Sequence, residues 1–502
     1  MASTKASTGF PYPNPTKAYW QTPALPISDH RTTPDLPASS QYVIVGSGIT
    51  GASIAHNLLL AEPSASIVLL EARQASSGAS GRNGGHCRPG DYLEFKKNVD
   101  LIGVDDALRV ENLEETNVRA LAAFVAEHGI DCDFRARESL DVFVDTKQWE
   151  AALATLRARD EVGVPILTEH TVWSKKETKE ELLMPHGIGA ISYLAYILTP
   201  YKLVCALLEM SLKKGMNLQT NTTALEVSQD HDSKEWTVRT DRGEIMAEKV
   251  ILATNAYTAA LYPPLSGFIT PERGQMAAVC PGSKIAGNPV LKRTAAIHTT
   301  NGYPYFQSRS DDVPGAGDVI FGVGSLGGPD GAQNTFDDTV IHPETSKYLT
   351  NAAITIFGEE TWGEKGAVLQ EWTGIMGYSA DKHPYVGEAP GQEGLWICAG
   401  FHGHGMGLAF KSAEALVGLV SGREKEVNEW LPHGNPGLEK SLTAEAAAEH
   451  LKRPLRHLGE ITANKCCSSV RLHYACSSNK AYVHGRRLFR LGETVQDWGQ
   501  ES

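Results

Sequence analysis

The chain has 502 residues, enough for two or three domains, and its 41% hydrophobic and 21% charged residues are typical of a globular protein. The net charge of -13 argues against nucleic acid or an anionic membrane surface as the main partner. The eight cysteines include no C-x-x-C pair, so neither a disulfide framework nor a metal site is expected.

The N-terminal region has no apolar signal segment, because residues 1–40 are polar and rich in proline. The most apolar run, residues 190–210, is interrupted by Pro200 and is therefore no membrane span. We expect a cytoplasmic protein without a membrane partner. Residues 1–40 are expected to form an extended arm that packs on the body of the protein through Tyr19 and Trp20.

The most informative pattern lies in residues 42–51, where an apolar strand runs into a glycine-rich turn and then a helix. In such a turn Gly46 allows a tight bend, Gly48 lets the backbone approach a pyrophosphate, and Gly51 lets the helix pack on the strand. Glu71 ends the next predicted strand, about twenty residues later, where a carboxylate accepts hydrogen bonds from an adenosine ribose. Together these features predict a dinucleotide-binding βαβ unit.

The remaining elements follow from apolar periodicity and turn residues. Strands are predicted over 216–220, 224–227, 249–256 and 396–398, with a hairpin formed by 236–240 and 244–247. Helices are predicted over 92–128, from 200 to about 214, and from 407 to about 420. Residues 270–360 show β-rich alternation, and residues 433–502 are predicted to be a peripheral or disordered tail.

Two further glycine-rich segments favour FAD over NAD as the dinucleotide. Residues 77–85 follow Glu71 closely, and their backbone amides and the Arg82 guanidinium could continue along a pyrophosphate toward a flavin. Residues 400–407 precede a helix whose N-terminus would stabilise negative charge on a reduced flavin. Each segment alone is also explained as a turn that needs backbone freedom. With the first turn present, both together favour FAD.

Across about 40–425 the chain resembles the D-amino-acid oxidase-like family of FAD-dependent amine oxidoreductases, which includes glycine, sarcosine and gamma-glutamylputrescine oxidases. The resemblance rests on the first glycine turn with Glu71, and on residues 81–85, 250–257, 271–275, 372–374 and 400–406. The Gly-Arg-Asn-Gly-Gly form of 81–85 is most similar to gamma-glutamylputrescine oxidase. Residues 18–20 of the arm resemble fungal members of the family.

The resemblance implies an α/β fold with a Rossmann-like FAD-binding domain and a second, α+β substrate domain built on an antiparallel sheet. We expect the FAD-binding domain to comprise 41–90, 200–270 and 366–425, and the substrate domain 91–199 and 271–365. It also implies hydride transfer from a carbon beside an amine nitrogen to flavin N5, giving an imine that water hydrolyses. The substrate would be a small amine or amino acid, and the electrons would pass to molecular oxygen, giving hydrogen peroxide, or to another acceptor.

The resemblance also bears on how the flavin is held. Covalent relatives use a cysteine near the C-terminal motif or a histidine in the second glycine segment. This chain has no cysteine between Cys280 and Cys398 and has Arg82 at the position of the histidine. Non-covalent FAD is therefore expected. The lysine that sarcosine oxidases hold over the flavin has no counterpart in residues 318–322, so oxygen reactivity stays open.

The residues expected to bind FAD lie in the three glycine segments and in the strands beside them. They are Gly46, Ser47, Gly48, Ile49, Thr50, Gly51, Glu71, Ala72, Arg73, Ser80, Gly81, Arg82, Asn83, Gly84, Gly85, Ala224, Leu225, Thr254, Asn255, Gly374, Gly400, Phe401, His402, Gly403, His404, Gly405 and Met406.

The candidate catalytic residues are His86, Tyr305 and His404. Tyr303 shares a predicted strand with Tyr305, and two tyrosines on a half-buried strand are equally well explained by packing. Arg88 and Arg309 are candidates to hold a substrate carboxylate in a bidentate manner, although most arginines are surface charges.

Three other functions stay open at this point. The first is a dehydrogenase or biosynthetic desaturase that does not use oxygen. The second is a flavoprotein that keeps the fold as a binding module and catalyses no reaction. The third, an NAD-only dehydrogenase, is weakened by the two additional glycine segments.

Overall fold

The computed structural model describes residues 9–230, 232–299, 304–323 and 332–433. Tyr303 and the predicted tail beyond 433 lie outside the described residues. The strands are β1 Ser39–Val45, β2 Ile67–Leu70, β3 His86–Cys87, β4 Arg135–Phe143, β5 Thr171–Trp173, β6 Gly189–Ile197, β7 Asn217–Gln219, β8 Ala224–Gln229, β9 Trp236–Thr240, β10 Gly243–Leu252, β11 Ile269–Val279, β12 Thr294–His298, β13 Pro304–Ser308, β14 Val319–Val323, β15 Val368–Ser379, β16 Tyr385–Glu388 and β17 Leu395–Ala399. The α-helices are α1 Ile49–Ala61, α2 Phe95–Ile102, α3 Val104–Glu127, α4 Thr146–Glu161, α5 Lys175–Glu180, α6 Pro200–Lys213, α7 Thr258–Leu261, α8 Pro343–Phe357, α9 Glu359–Trp362, α10 Gly405–Val420 and α11 Glu424–Asn428.

The first sheet contains the predicted dinucleotide-binding strands. Its strand order is β16-β17-β10-β1-β2-β7, and β8 and β9 join it beside the first half of β10. The strands from β17 to β7 pair in parallel. Along β1, Tyr42 and Ile44 enter the core on one face, and Val43 and Val45 enter the core on the other. Burial on both faces is typical of a parallel strand between two layers.

Four helices share one core with the first sheet. Leu58 of α1, Leu121 of α3, Leu207 of α6 and Leu416 of α10 are all fully buried in the cluster that contains Ile44. α6 begins with a proline at its first position, where the missing amide costs no hydrogen bond. None of the described helices combines the length and the apolar sequence needed to cross a bilayer.

The second sheet has the order β15-β11-β14-β13-β12-β4-β6-β3, with β5 paired to β6. Its strands pair antiparallel except β12 and β4, which run parallel. A separate core lies on this sheet, in which Phe306 and Phe321 pack with Phe357 of α8 and Trp362 of α9. The α/β fold class, with a Rossmann-like sheet and a second antiparallel sheet, is confirmed.

Two strands from the ranges expected for the FAD-binding domain pair within the second sheet, and one predicted helix is divided. β15, from the range 366–425, pairs with β11 along its whole length and therefore belongs to the second sheet. β3 likewise pairs with β6 of the second sheet. The predicted helix over 92–128 is divided into α2 and α3 at Gly103, whose φ of 83° no helix interior accepts.

The arm packs on the body through Tyr19 and Trp20, as predicted. The Tyr19 hydroxyl donates to Asp318 Oδ2 at 2.6 Å, and Trp20 Nε1 donates to the carbonyl oxygen of Asn83 at 2.6 Å. The rings of both residues also contact Trp372 of β15. The arm is therefore fixed between the second glycine segment and the second sheet.

Candidate functional site

The first glycine turn joins β1 to α1 with no room for side chains. Gly46 has a φ of 106°, and a Cβ there would lie 2.6 Å from the carbonyl oxygen of Ala253. A Cβ at Gly51 would lie 1.9 Å from the carbonyl oxygen of Gly46. No side chain caps α1 at Gly48, so the positive end of the helix can face an anion.

Glu71 follows β2 and is held beside this turn. Its Oε2 accepts hydrogen bonds from the amide and hydroxyl of Ser47, at 3.1 and 2.6 Å. Its Oε1 accepts from the amide of Arg73 at 2.9 Å. These three bonds fix the orientation of the carboxylate, whose lone pairs can accept further bonds from ribose hydroxyls.

The second glycine segment contacts the first through Ser80, whose hydroxyl accepts from the amide of Ile49 at 2.9 Å. Arg82 was predicted to follow a pyrophosphate, and in the structure two of its guanidinium nitrogens are bound to protein carbonyl oxygens. Arg82 is buried, and it donates to the carbonyl oxygens of Ser77, Thr16 and Thr373 at 2.6 to 2.9 Å. Burial lowers its pKa to about 10, so it stays charged and joins the arm to β15.

The third glycine segment is held by Asn255. The side-chain oxygen of this residue accepts from the amides of Gly400 and Phe401 at 3.0 and 3.2 Å. α10 then begins at Gly405, and its first turn has no side-chain cap. A second helix N-terminus is thus available to an anionic group.

These segments line one cavity of ≈ 280 Å³. The predicted cofactor residues on its wall are Gly46, Gly48, Ile49, Thr50, Glu71, Ala72, Arg73, Ser80, Arg82, Asn83, Gly84, Ala224, Thr254, Asn255, Gly374, Phe401, Gly403, His404, Gly405 and Met406. All three candidate catalytic residues, His86, Tyr305 and His404, line the same cavity. Residues from distant parts of the chain are therefore brought together as the sequence predicts.

Seven predicted cofactor residues are not on the wall: Ser47, Gly51, Gly81, Gly85, Leu225, Gly400 and His402. Most of them support the wall from behind. Cβ atoms at Gly81 and Gly85 would lie 2.1 and 2.5 Å from neighbouring carbonyl oxygens. Leu225 follows a wall residue on β8, where successive side chains alternate between faces. His402 has a φ of 49° and packs against Tyr378, and burial lowers its pKa to about 4.

Several wall residues were not predicted. Met376 and Tyr378 follow the predicted Gly374 at steps of two residues along β15. The strand period of two could therefore have extended the prediction from Gly374 to them. Tyr257 follows the predicted strand 249–256 closely. Phe10 of the arm also lines the cavity, and no local pattern points to it.

His86 and Tyr305 form one side of the cavity, with ring centroids 5.4 Å apart. Burial lowers the pKa of His86 to about 3, so this ring is neutral at physiological pH. Its buried Nε2 has no hydrogen-bond partner among the described residues. The Tyr305 hydroxyl lies 3.3 Å from the sulfur of Met276.

His404 immediately precedes α10, and its ring contacts a buried carboxylate. Its Nδ1 lies 3.0 Å from Oε1 of Glu114 on α3, and Glu114 is only 1% exposed. The other oxygen of Glu114 accepts from the amide of Gly90 at 2.5 Å. A carboxylate in this position fixes both the tautomer and the orientation of the imidazole.

Arg88 lines the cavity and is held by Asp141, a fully buried carboxylate on β4. Oδ1 of Asp141 lies 2.9 Å from Arg88 Nη1 and 2.8 Å from His298 Nε2, and Oδ2 accepts from the hydroxyls of Tyr92 and Tyr193 at 2.8 Å. Burial disfavours the charged carboxylate, but Arg88 and His298 outweigh it and hold the pKa of Asp141 well below its usual range.

The second candidate carboxylate clamp, Arg309, lies elsewhere. Its guanidinium is buried and donates to Asp133 Oδ2, Thr199 Oγ1 and the carbonyl oxygen of Pro314. It also stacks over the Trp20 ring at 5.1 Å. Arg309 is not on the cavity wall, so its position is that of a structural ion pair, and the expectation of a substrate contact is wrong.

The described wall residues include no lysine and no cysteine. Cys87 lies behind the wall and donates to the carbonyl oxygen of Met406. No group of three or more His, Cys, Asp or Glu in the described ranges is arranged to hold a metal ion.

A parallel sheet with three glycine segments at one cavity, joined to a second antiparallel sheet, defines the class of dinucleotide-dependent oxidoreductases. Residues 41–419 match the sequence profile of the DAO family, described as FAD dependent oxidoreductase. The chain therefore belongs to this family, as its motifs predicted, and is an FAD-dependent enzyme.

Curated relatives agree with this assignment. The probable oxidoreductase OrdL of Rhizobium meliloti is 23% identical over 435 residues, which cover 82% of this chain and 92% of that protein. The glycine oxidase of Pseudomonas aeruginosa is 25% identical over 409 residues, covering 77% and 96%. The crystal structure of glycine oxidase from Geobacillus kaustophilus shares the fold, with a TM-score of 0.62, 21% identity, and coverage of 77% of this chain and 95% of that one.

Proposed function

We propose that this chain binds FAD non-covalently and oxidises a C–N bond of a small amine or amino acid, giving an imine that water hydrolyses, with oxygen as electron acceptor and hydrogen peroxide as product. The observation that supports it best is the single cavity, in which three glycine segments meet His86, Tyr305 and His404. Membership of an FAD-dependent family supports the cofactor. Glycine oxidases among the relatives support an amine or amino acid as substrate.

The wall residues fit an FAD molecule in shape and charge. The bare backbone at Gly46 and Gly48 suits the pyrophosphate, together with the N-terminus of α1, where Ser80 accepts from the amide of Ile49. Glu71 suits the ribose. The N-terminus of α10 suits the pyrimidine side of the flavin. Bound flavin supplies the hydride acceptor that protein side chains lack. A non-covalent cofactor is proposed because the described wall has no cysteine and has Arg82 at the position where some covalent relatives use a histidine.

The side chains at the other end of the cavity suit an amine substrate. The neutral His86 ring and the Tyr305 ring give an uncharged surface, and removal from water together with the positive charge of Arg88 favours the neutral amine over the ammonium. We assign His404, oriented by Glu114, to accept the ammonium proton at Nε2. The neutral amine can then release a hydride from the adjacent carbon.

Arg88 is proposed to hold the carboxylate of an amino-acid substrate. Its guanidinium lies on the wall, and the buried Asp141 fixes one of its nitrogens. Arginine binds carboxylates with paired hydrogen bonds, so a substrate carboxylate there would be oriented as well as attracted. An amine without a carboxylate would not use this group.

The decisive experiment is anaerobic titration of the purified protein with a panel of amines and amino acids, followed by absorbance. The proposal predicts a yellow protein whose band near ~450 nm bleaches with at least one amine, as the bound flavin is reduced. A yellow protein that no amine bleaches would contradict the catalytic proposal and favour a non-catalytic flavoprotein. A colourless protein that takes up no FAD would overturn the cofactor site.

Two further measurements separate the finer points. Rapid reoxidation on readmission of air, with hydrogen peroxide formed in proportion to substrate, supports an oxidase. Flavin that stays reduced in air and is reoxidised by an added electron acceptor supports a dehydrogenase. Acid denaturation should release the flavin into solution. Flavin that stays with the precipitated protein would mean a covalent bond.

A further inference from the structure

Given the FAD site proposed above, we infer that the N-terminal arm completes this site. Phe10 is assigned as the residue that stacks on the adenine ring of FAD, with Pro11 beside it. Both residues line the cavity, although they belong to none of the three glycine segments. The arm would thus contribute to cofactor affinity and not only to packing.

Phe10 lies at an apolar end of the cavity. It packs against the cluster that contains Ala224 and Leu261, and both of these also line the cavity. The preceding residue, Gly9, approaches α7 so closely that a Cβ there would lie 3.2 Å from Cβ of Ala260. This end offers a flat aromatic ring and aliphatic groups, which suits a purine base.

The position of Glu71 identifies this end as the adenine side. Arg73, two residues beyond Glu71, donates from Nη1 to the carbonyl oxygen of Tyr12 at 3.0 Å. The arm residues next to Phe10 are therefore tied directly beside the carboxylate assigned to the adenosine ribose. The base is attached to that ribose, so it must lie within reach of this part of the arm.

The arm that follows Phe10 is held at Thr16 by bonds that do not involve a ligand. The amide of Thr16 donates to the carbonyl oxygen of Asp338 at 2.8 Å, and the carbonyl oxygen of Thr16 accepts from Arg82 at 2.7 Å. The hydroxyl of Thr16 accepts from the amide of Thr373 at 2.9 Å. Because the arm is already fixed, little ordering is required when the base binds.

The test compares FAD affinity in two variants of the full-length apoprotein. Phe10→Ala removes the ring from the cavity. Leu36→Ala is the matched control, because Leu36 also lies on the arm and packs against the same cluster but does not line the cavity. Loss of one base–aromatic stack should raise the Kd for FAD about tenfold in Phe10→Ala, with a change below about twofold in Leu36→Ala.

Two additions make the result specific. Phe10→Leu keeps apolar contacts and is the substitute if Phe10→Ala does not fold; its Kd should still rise several-fold, since a leucine has no π-face. The Kd for ADP, which lacks the flavin, should rise in Phe10→Ala about tenfold, as the Kd for FAD does. Both effects locate the loss at the adenosine half of the cofactor.

Equal FAD affinity of the wild type, Phe10→Leu and Leu36→Ala would overturn the role of Phe10 while leaving the proposed function intact. Equal losses in Phe10→Ala and Leu36→Ala would also overturn it, because they would reflect general loosening of the arm. Failure of the wild-type apoprotein to bind FAD at all would overturn both proposals.

Discussion

At the residue scale, Asp141 has no contact with solvent and receives four polar neighbours, of which Arg88 reaches the cavity. Asp141 does not line the cavity, so it acts through Arg88 as a positioning residue. A buried carboxylate is costly unless a charge and hydrogen bonds compensate it, and here both are present. Its geometry therefore determines where the guanidinium stands.

Asp141→Asn should affect amino acids more than simple amines, raising KM for carboxylate-bearing substrates about tenfold or more with a smaller effect on kcat, because Arg88 loses its charged partner. The free energy of unfolding should fall by about 3 kcal/mol, since the ion pair between the fully buried Asp141 and the half-buried Arg88 is lost. Steady-state kinetics with paired substrates and urea unfolding measure the two effects. The exposed Asp35→Asn is the control, and equal KM changes for both substrate types would contradict the assignment.

The effect of Asp141→Asn on stability should depend on pH in a defined way. The depressed pKa of Asp141 means that its stabilisation is fully present above the unfolded pKa, near ~4, and is lost as pH falls toward the folded value. The stability difference between wild type and Asp141→Asn should thus be constant from about pH 5 to 8 and shrink only below about pH 4. A difference that already shrinks at neutral pH would contradict this.

His86 gives a pH dependence of the same sign that begins at a higher pH. Its folded pKa of about 3 lies below the unfolded value, so the unfolded chain binds the proton first and stability is lost as pH falls from about 6.5 toward 3. Over this range the free energy of unfolding of the wild type should fall by up to about 1.4 kcal/mol per pH unit more than that of His86→Gln, because glutamine takes up no proton. Urea unfolding between pH 6.5 and 4.5 measures the slopes, with the exposed His186→Gln as control. Parallel slopes for wild type and His86→Gln would show that His86 is not buried in its neutral form.

At the element scale, the sequence predicted those features that depend on contacts between residues close together in the chain. The bend at Gly46 and the start of α6 at Pro200 depend on residues within one or two turns, so the sequence suffices. β15 has apolar and polar residues that suit either sheet, and its place is decided by pairing with β11, about a hundred residues earlier. Such pairing leaves no trace in a single sequence.

Gly51→Ala tests the junction of β1 and α1. The added methyl would lie 1.9 Å from the carbonyl oxygen of Gly46, so α1 must move away from the turn. We expect loss of FAD binding and a fall of about 1–3 kcal/mol in the free energy of unfolding. Gly78→Ala is the control for stability, since nothing lies within 4 Å of its added Cβ. Wild-type flavin content in Gly51→Ala would refute the role of this turn.

At the scale of the whole molecule, the candidate site is assembled from parts that are remote in sequence. The three glycine segments were predictable because each contains its own geometric requirement. The contact of Arg88 with Asp141, and the presence of Phe10 on the wall, depend on the tertiary fold, and an isolated arginine or phenylalanine has no distinguishing pattern. Most of the cofactor wall could therefore be predicted, but only part of the substrate end.

A cofactor that joins so many segments should stabilise the entire unit. The melting temperature of the apoprotein should rise with FAD concentration, corresponding to about 2.7 kcal/mol at a hundredfold excess over Kd. Differential scanning fluorimetry read through tryptophan measures this without activity. Gly51→Ala should show no rise, and a wild-type melting temperature independent of FAD would contradict the site.

The tie between Thr16 and Thr373 has a consequence for synthesis. The two residues are 357 positions apart, so a ribosome adding about 5–20 residues per second produces the second roughly 20–70 seconds after the first. Throughout that interval Thr373 is not yet present to bind the Thr16 hydroxyl, and water can take its place. The many prolines of the arm have no backbone amide to donate to a neighbouring strand. The unfolded arm therefore pairs poorly with the exposed sheet edges of other nascent chains.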